Sequence, residues 1–228
     1  CKSSNCLIST HCSAKWKVLM DEHKTERMYK RKVQIFYEGS MIFGIYFICQ
    51  GVVKIFKNGP GGKKQIVRLA KSGDILGHRG WGLKSYYAIG AATIEDSIIC
   101  FIENDFFTKL LKANPDFIFN LMLFYAEELK NAETRMRNLA QMTVRERVAE
   151  ALLMVNKIFG KKDKKNRITL DIILTRQEIA EIAGTAQEQA IRMLSEFKRD
   201  HLIETEGKRI FLTDYEGLKN IIADYDVA

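Results

Sequence analysis

Two groups of residues in this chain have types and spacings suited to chemistry: a polar run near the C-terminus and a scattered set of cysteines. Gln187, Glu188, Gln189 and Arg192 fall within a single helical stretch. Arginine grips guanine O6 and N7, glutamate accepts from cytosine N4 and glutamine suits adenine, so an outward row of these side chains would read base edges in a major groove. The plain alternative is a solvated helix face, which uses the same residue types. Cys1, Cys6 and Cys12 lie in a short N-terminal span, and Cys100 comes much later. Four thiolates are a donor set for an iron–sulfur cluster or a zinc ion. The alternative leaves Cys100 as a small buried hydrophobe and the others as reduced thiols. Cys49 stands in an apolar run and is expected in the core, and no disulfide is expected in a cytoplasmic chain. Histidines 11, 23, 78 and 201 occur singly, so the histidine pair that a β-roll metal oxygenase needs is missing. Glycines 59, 61 and 62 make a turn without a helix behind it, unlike a phosphate-binding loop. An enzyme is therefore not expected.

The polar run needs elements to present it, and the local sequence supplies them. Thr175 with Glu178 and Thr185 with Glu188 read as two capping boxes, each marking a helix start. Ile179, Ala180, Ile182 and Ala183 give the first helix an apolar face, and Gly184 supplies the backbone freedom that ends it. In the second helix, expected over 186–198, Ala190, Met193, Leu194 and Phe197 recur at helical spacing and face inward. That leaves Gln187, Glu188, Gln189 and Arg192 outward. His201 to Glu204, Gly207-Lys208-Arg209 and Ile210 to Leu212 then read as strand, basic turn and strand. Helix, turn, helix and wing in this order make a winged helix. Thr175, Arg176 and Thr185 at helix starts, with Lys208 and Arg209 on the wing, would lie near phosphates, which position a protein without reading sequence.

Upstream, glycine-punctuated runs from Val33 to about Glu103, such as Gly44–Ile48, Val52–Phe56 and Gln65–Leu69, have strand lengths. They imply an antiparallel β-roll with turns at 58–62 and at Gly73-Asp74. Asn114-Pro115 is an N-cap followed by proline at the first helical position. The helix it opens carries Ile118, Met122, Tyr125, Leu129, Ala132, Met136 and Leu139, spaced alternately four and three. Such a heptad seam either packs on the roll or pairs with its twin, and pairing as a homodimer is the stronger expectation. At about 25 residues and 1.5 Å per residue the helix would be ~37 Å long. A break is expected near Met142, where Thr143 and Glu146 form another capping box, opening a helix to about Phe159. The charged segment Lys161 to Arg167 reads as a solvated loop. The fold class is α+β, with a cysteine segment and sensor roll over 1–113, a dimerisation helix over 114–141 and a winged helix over 142–228.

Composition agrees with folded domains: of 228 residues, 46% are hydrophobic and 28% charged. The formal charge of +8 lies upstream, because from Met142 onward 15 Lys and Arg face 15 Asp and Glu. Placement of cations, not net charge, therefore carries the case for nucleic acid. No apolar stretch approaches the ~20 residues that span a bilayer, and no signal-peptide core stands near residue 1. The expectation is a cytoplasmic protein without membrane contact.

The order of roll, long helix and winged helix resembles the Crp/Fnr family of bacterial transcription regulators over nearly the whole chain. The motifs that carry the resemblance are Ile45-Tyr46-Phe47-Ile48 before Gly51, Ser72-Gly73-Asp74-Ile75-Leu76-Gly77, the Asn114-Pro115 helix start and the helix-turn-helix. It implies that Glu188 and Arg192 read the G·C pairs of a TGA-containing half-site, that the operator is palindromic, and that RNA polymerase is a partner. Gln187 replaces a residue that varies with sequence preference. In cyclic-nucleotide-binding relatives a glutamate after Gly-Asp-x-x-Gly holds ribose and an Arg-Ser pair holds phosphate. Here His78 follows Gly77, and Tyr86-Tyr87 occupy the region of the pair, so cyclic AMP in its usual mode is disfavoured. Arg79 is a cation at a different spacing. Another ligand would be lined by Trp81, Tyr86 and Tyr87, or these aromatics simply fill the roll. The oxygen-sensing branch ligates a cluster with three N-terminal cysteines and one from the roll, and Cys6-x5-Cys12 with Cys100 resembles it. Cys1-x4-Cys6 departs from the usual x2 gap, with Ser9 where a ligand would otherwise fall. The effector stays unidentified, and an effector-binding module without a transcriptional role is the alternative function.

Overall fold

The structure is a computed structural model describing residues 6–81, 86–163 and 167–225. It divides into two compact units, residues 1–129 and 130–228.

In the first unit two short helices, α1 (Leu7–His11) and α2 (Ala14–His23), precede eight strands: β1 (Thr25–Tyr29), β2 (Gln34–Phe36), β3 (Gly44–Gln50), β4 (Val52–Asn58), β5 (Lys64–Lys71), β6 (Ile75–Leu76), β7 (Gly90–Thr93) and β8 (Ser97–Glu103). They form two four-stranded antiparallel sheets, ordered β1-β8-β3-β6 and β2-β7-β4-β5. The roll thus starts at Thr25, earlier than Val33. Strand β1 is a sheet edge whose side chains are almost all exposed, so it has no apolar alternation to announce it.

The roll interior is filled by Phe36, Ile48, Val53, Ile55, Leu76, Tyr87 and Ile99. A second cluster joins Ile45, Phe47, Cys100 and Ile102 of β3 and β8 to Cys6, Ile8, Cys12 and Met20 of the N-terminal segment. It also takes in Phe107 and Leu110 of α3 (Asn104–Ala113) and Phe117 and Leu121 of α4 (Pro115–Gln141). Strands β3 and β8 are therefore buried on both faces, which explains their near-continuous apolar runs.

Helix α4 begins at Pro115 as the Asn-Pro signal requires, but the Asn114 side chain does other work. Its Oδ1 accepts the Ser13 N–H at 3.1 Å and its Nδ2 donates to the Leu110 carbonyl at 2.8 Å. The buried amide thus pins the cysteine segment to the end of α3. The helix runs 27 residues, about 40 Å at 1.5 Å per residue. No helix among the described residues is long and apolar enough to cross a membrane.

The second unit contains α5 (Val144–Phe159), β9 (Gly160–Lys162), β10 (Ile168–Leu170), α6 (Arg176–Ala183), α7 (Gln187–Arg199), β11 (Ile203–Glu206), β12 (Arg209–Leu212) and α8 (Tyr215–Asn220), with its sheet ordered β11-β12-β10-β9. Lys161 and Lys162, expected in a loop, lie on β9 because Gly160 to Lys162 pair with β10. Residues 164–166 of that expected loop lie outside the described residues. The capping boxes at Thr143 and Thr175 are formed, with Glu146 and Glu178 as reciprocal partners. The box expected at Thr185 and Glu188 is not. Gly184 takes φ +63° and Thr185 is used in the turn, where its N–H donates to the Ala180 carbonyl at 3.1 Å. The next helix is consequently capped one residue later, at Ala186, without a side-chain bond.

Candidate nucleic-acid interface and sensor site

Helix α7 is held by its inner face, where Ala190, Met193, Leu194 and Phe197 are buried at 0%, 5%, 4% and 0% exposure. The opposite face presents Gln187, Glu188 and Arg192, all exposed. Gln189 departs from its expected outward position: it is half-buried, with Oε1 buried and lacking a hydrogen-bond partner. The structure adds Ile191, which is 42% exposed, and Ser195, whose hydroxyl donates to the Ile191 carbonyl at 2.9 Å. Both lie on the outward face at helical spacing from Glu188, a signal the apolar side chain of Ile191 obscured. An exposed aliphatic side chain among polar ones suits a thymine methyl.

An open cleft of ≈ 250 Å³ lies beside this face, lined by Thr175, Arg176, Gln177, Gln187, Gly207 and Lys208. It brings together the first turn of α6, the start of α7 and the wing turn. The Thr175 hydroxyl is committed to its capping box, donating to Glu178 Oε2 at 3.0 Å. Arg176 has one guanidinium nitrogen, Nη1, buried without a partner, and burial holds its pKa below the usual arginine range. Arg192, Lys208 and Arg209 are exposed and enter no ion pair among the described residues. Arg167 differs, being engaged by Asp163, Glu204 and Glu206. A helix N-terminus flanked by cations attracts a phosphate, while the adjacent α7 face offers donors and an acceptor for bases.

Within the same unit, Arg135 of α4 is half-buried and donates through Nη2 to the Ile182 carbonyl of α6 at 2.6 Å. Burial lowers its pKa, and nearby Glu150 partly opposes this. The long helix is thereby tied to the end of the first recognition-motif helix, where orphan carbonyls need donors.

The expected seam on α4 faces outward over much of its length. Ile118, Met122, Leu129 and Met136 are 45%, 56%, 62% and 68% exposed, and Ala132 is exposed too. Leu139 is half-buried, and Tyr125 turns its hydroxyl inward to donate to the His78 carbonyl at 2.7 Å. Phe119 and Leu123, also exposed, widen the apolar stripe.

The expected effector residues are not gathered around one space. Trp81 packs edge-on against Phe107 in the outer cluster, Tyr87 stacks on Phe36 at 4.1 Å in the roll interior, and Tyr86 is 53% exposed. Aromatics packing both faces of the sheet account for their identity better than a shared ligand. Gly77 has φ +80°, and a Cβ there would stand 2.9 Å from the Tyr87 ring. Arg79 pairs with Glu128 of α4, and Arg68 with Asp74 at 3.1 Å and Glu128 at 3.6 Å. His78 is 3% exposed, set edge-on to Phe124 and Tyr125, and neither ring nitrogen makes a well-formed hydrogen bond. These described residues do not fit a cyclic nucleotide: a neutral imidazole replaces the ribose carboxylate, both guanidiniums are engaged by carboxylates, and the tyrosine–phenylalanine stack fills the interior. Residues 82–85, which include Lys84 and Ser85, lie outside the described residues.

Burial, followed by the charges of Arg68 and Arg79, pushes the His78 pKa down from 6.5 to about 3. The unfolded chain then binds a proton that the folded chain refuses between those values. Stability is complete above pH 6.5 and falls as pH drops toward 3. At pH 5 the expected loss is about 2 kcal/mol, from ~1.5 pH units at 1.36 kcal/mol each. Denaturant unfolding at pH 7 and pH 5 should show this loss shrinking in His78→Phe; an equal loss in both proteins would refute the assignment.

The cysteines depart most from expectation. Cys1 lies outside the described residues. Cys6 and Cys12 are free and buried, at 0% and 6% exposure, and flank α1 as its N-cap and C-cap residues. Burial raises both thiol pKa values, that of Cys12 to about 11. Cys100 is in the same cluster, as expected of a ligand or a core residue, but it is bonded to Cys49 in a disulfide. The expectation of an unpaired Cys49 in a disulfide-free chain is thus corrected: residues 51 apart in sequence meet because β3 and β8 are neighbours. As donor types these thiols suit an iron–sulfur cluster or zinc once Cys100 is reduced, but among the described residues the sulfurs of Cys6, Cys12 and Cys100 do not all lie within 4.8 Å of one another. The trio whose ligand atoms already lie within 4.8 Å of one another is Glu26, Cys49 and Cys100.

Comparison with known proteins agrees with this geometry. A family model described as a cyclic nucleotide-binding domain matches residues 26–114, and one described as a Crp-like helix-turn-helix domain matches 146–221. The transcriptional activator protein FnrL of Cereibacter sphaeroides is 24% identical over 215 residues, 92% of this chain and 86% of that protein. The cAMP-activated global transcriptional regulator CRP of Pasteurella multocida is 27% identical over 186 residues, covering 80% and 87%. The solved structure of FixK2 from Bradyrhizobium japonicum shares the fold with a TM-score of 0.76, at 23% identity over 87% of this chain and 96% of that one.

Proposed function

The chain belongs to the Crp/Fnr family of DNA-binding transcription regulators, and from this premise we propose that it binds a palindromic operator as a homodimer under control of its cysteines. Relatives in this family are regulators rather than enzymes, and the chain is read in the same way.

The observation that carries the proposal is the exposed set Gln187, Glu188 and Arg192 on α7, beside a cleft edged by Arg176 and Lys208. Arg192 and Glu188 would read a G·C pair, and Gln187 and Ile191 would meet neighbouring bases. Lys208, Arg209 and the α6 N-terminus would hold phosphates on either side. The apolar stripe from Ile118 to Met136 would pair with its twin, placing two readers about one helical turn apart. Arg135 ties α4 to α6, so a change in pairing along α4 would be felt at the recognition motif. RNA polymerase is the further partner this reading implies.

The signal would enter through the cysteines. Cys6, Cys12 and Cys100, with Cys1, would hold an iron–sulfur cluster or zinc; relatives include the anaerobic regulatory protein of Bacillus subtilis. A group bound there would supply an oxidation-labile crosslink between the N-terminal segment and the roll. Any such signal shifts the regulator only by its differential affinity for two arrangements of α4.

The test is binding to a library of duplexes, followed by a salt titration on the selected site. The expected result is enrichment of an inverted repeat bound by two chains, with log K falling linearly in log salt. Equal binding to all duplexes, or one chain per selected site, would refute the proposal.

A further inference from the structure

Strand β3 pairs with β8 through Phe47↔Cys100, Ile48↔Ile99 and Gln50↔Ile98, and the register shift leaves Cys49 as the extra residue of a bulge. That bulge sets Cys49 beside Cys100 with their Cα atoms 6.5 Å apart, within the ~4.4–6.8 Å a disulfide spans. On the other side of β8, Glu26 of β1 stands directly opposite Cys100 in the register, with its Oε2 3.8 Å from Cys100 Sγ. Exposure is graded across the trio: Glu26 is exposed, Cys49 half-buried and Cys100 fully buried. Cys6 and Cys12 are the buried free thiols of the same cluster, and neither is paired.

We propose that Cys49 and Cys100 form a reversible dithiol–disulfide couple oxidised by peroxides. Its regulatory consequence rests on the metal reading above, because a Cys100 bonded to Cys49 is no longer a thiolate donor. The couple itself rests only on the bulge, the register and the exposure gradient.

The half-buried Cys49 meets the oxidant first. Its thiolate attacks one peroxide oxygen, the O–O bond breaks, and water or an alcohol leaves with a proton, so sulfur is oxidised to a sulfenic acid as the peroxide is reduced. The Cys100 sulfur then attacks Cys49 Sγ, forming the S–S bond and breaking S–O, and hydroxide leaves as water with the Cys100 thiol proton. Two thiols and one hydrogen peroxide thus yield one disulfide and two waters. Reversal takes two electrons and two protons from a dithiol reductant.

The reduced, chelator-treated full chain is given one equivalent of hydrogen peroxide and then alkylated and mapped by peptide mass. The expected result is loss of two thiols per chain, a Cys49–Cys100 crosslinked peptide, and recovery of both thiols with dithiothreitol. Cys49→Ser should abolish the crosslink. Alkylation of both Cys49 and Cys100 after peroxide, or a crosslink confined to Cys6 and Cys12, would overturn the couple.

A second arm loads the chain with zinc before the peroxide. The couple as regulator expects zinc release from the parent chain and retention in Cys49→Ser, and equal release from both would overturn that role. If neither chain takes up zinc or iron and sulfide, the metal reading fails, while the peptide map still decides the couple.

Discussion

Arg192→Ala is expected to weaken binding to the selected palindrome by ~30-fold to ~10⁴-fold, because a bidentate arginine–guanine pair is worth about 1–3 kcal/mol and the proposed dimer would make it twice. The reason is local. Arg192 is exposed and enters no ion pair, and its helix is held by four buried side chains on the opposite face. Truncation should therefore remove the contact and leave the fold unchanged. Glu188→Ala should relax the base preference at its position, since the carboxylate both accepts from cytosine and repels acceptor edges. Lys208→Ala is the contrast: binding should weaken on all sequences alike, and the salt slope should fall by ~1 per wing. Competition binding against non-specific duplex at several salt concentrations separates these outcomes. If Glu188→Ala with Arg192→Ala leaves the ratio of specific to non-specific affinity intact, α7 is not the reader.

Leu129→Glu should dissociate the dimer and lower operator affinity by ~10²-fold to ~10⁴-fold, the gain that two linked half-site contacts provide over one. Leu129 is 62% exposed in the single chain, so the charge costs the folded chain little. In a paired seam each chain would present that carboxylate to the other, and two buried like charges are incompatible with the interface. Sedimentation should then report one chain per particle with an unchanged circular dichroism spectrum. A dimer that survives the substitution would show that α4 does not make the interface. Met122→Glu, one heptad earlier on the same stripe, should behave alike, which distinguishes a seam from a single contact.

Both predictions rest on elements that short-range sequence signals announce. The capping boxes at Thr143 and Thr175, the Gly184 turn and the Asn-Pro start of α4 are statements about neighbours three or four residues apart. Their energetics close locally, so pattern alone suffices. Gly184 ends α6 as expected, while Thr185 shows the limit of the same logic. An S/T-x-x-E string specifies a cap only if the turn leaves its threonine free, and here the turn consumes it.

Strands announced by apolar runs, such as Gly44–Ile48 and Val52–Phe56, are legible in the sequence, and an edge strand without such a run is not. Strand β1 pairs with β8 but shows solvent nearly every side chain, so nothing in Thr25 to Tyr29 betrays it. Trp81, Tyr86 and Tyr87 looked like one aromatic lining because they are close in sequence. The sheet they flank sends Trp81 and Tyr87 into opposite clusters and leaves Tyr86 exposed.

The sequence by itself determined the winged helix, the long apolar-striped helix and the outward placing of Gln187, Glu188 and Arg192, because helical period, caps and turns are encoded within a few residues of each other. Only the tertiary structure decided the chemistry of the cysteines. Cys49 and Cys100 are brought together by strand pairing across 51 residues and by one bulge, and Glu26 joins them through a strand without a sequence signal. The physical reason is that register is a property of two strands at once, and a one-residue bulge decides which side chains meet.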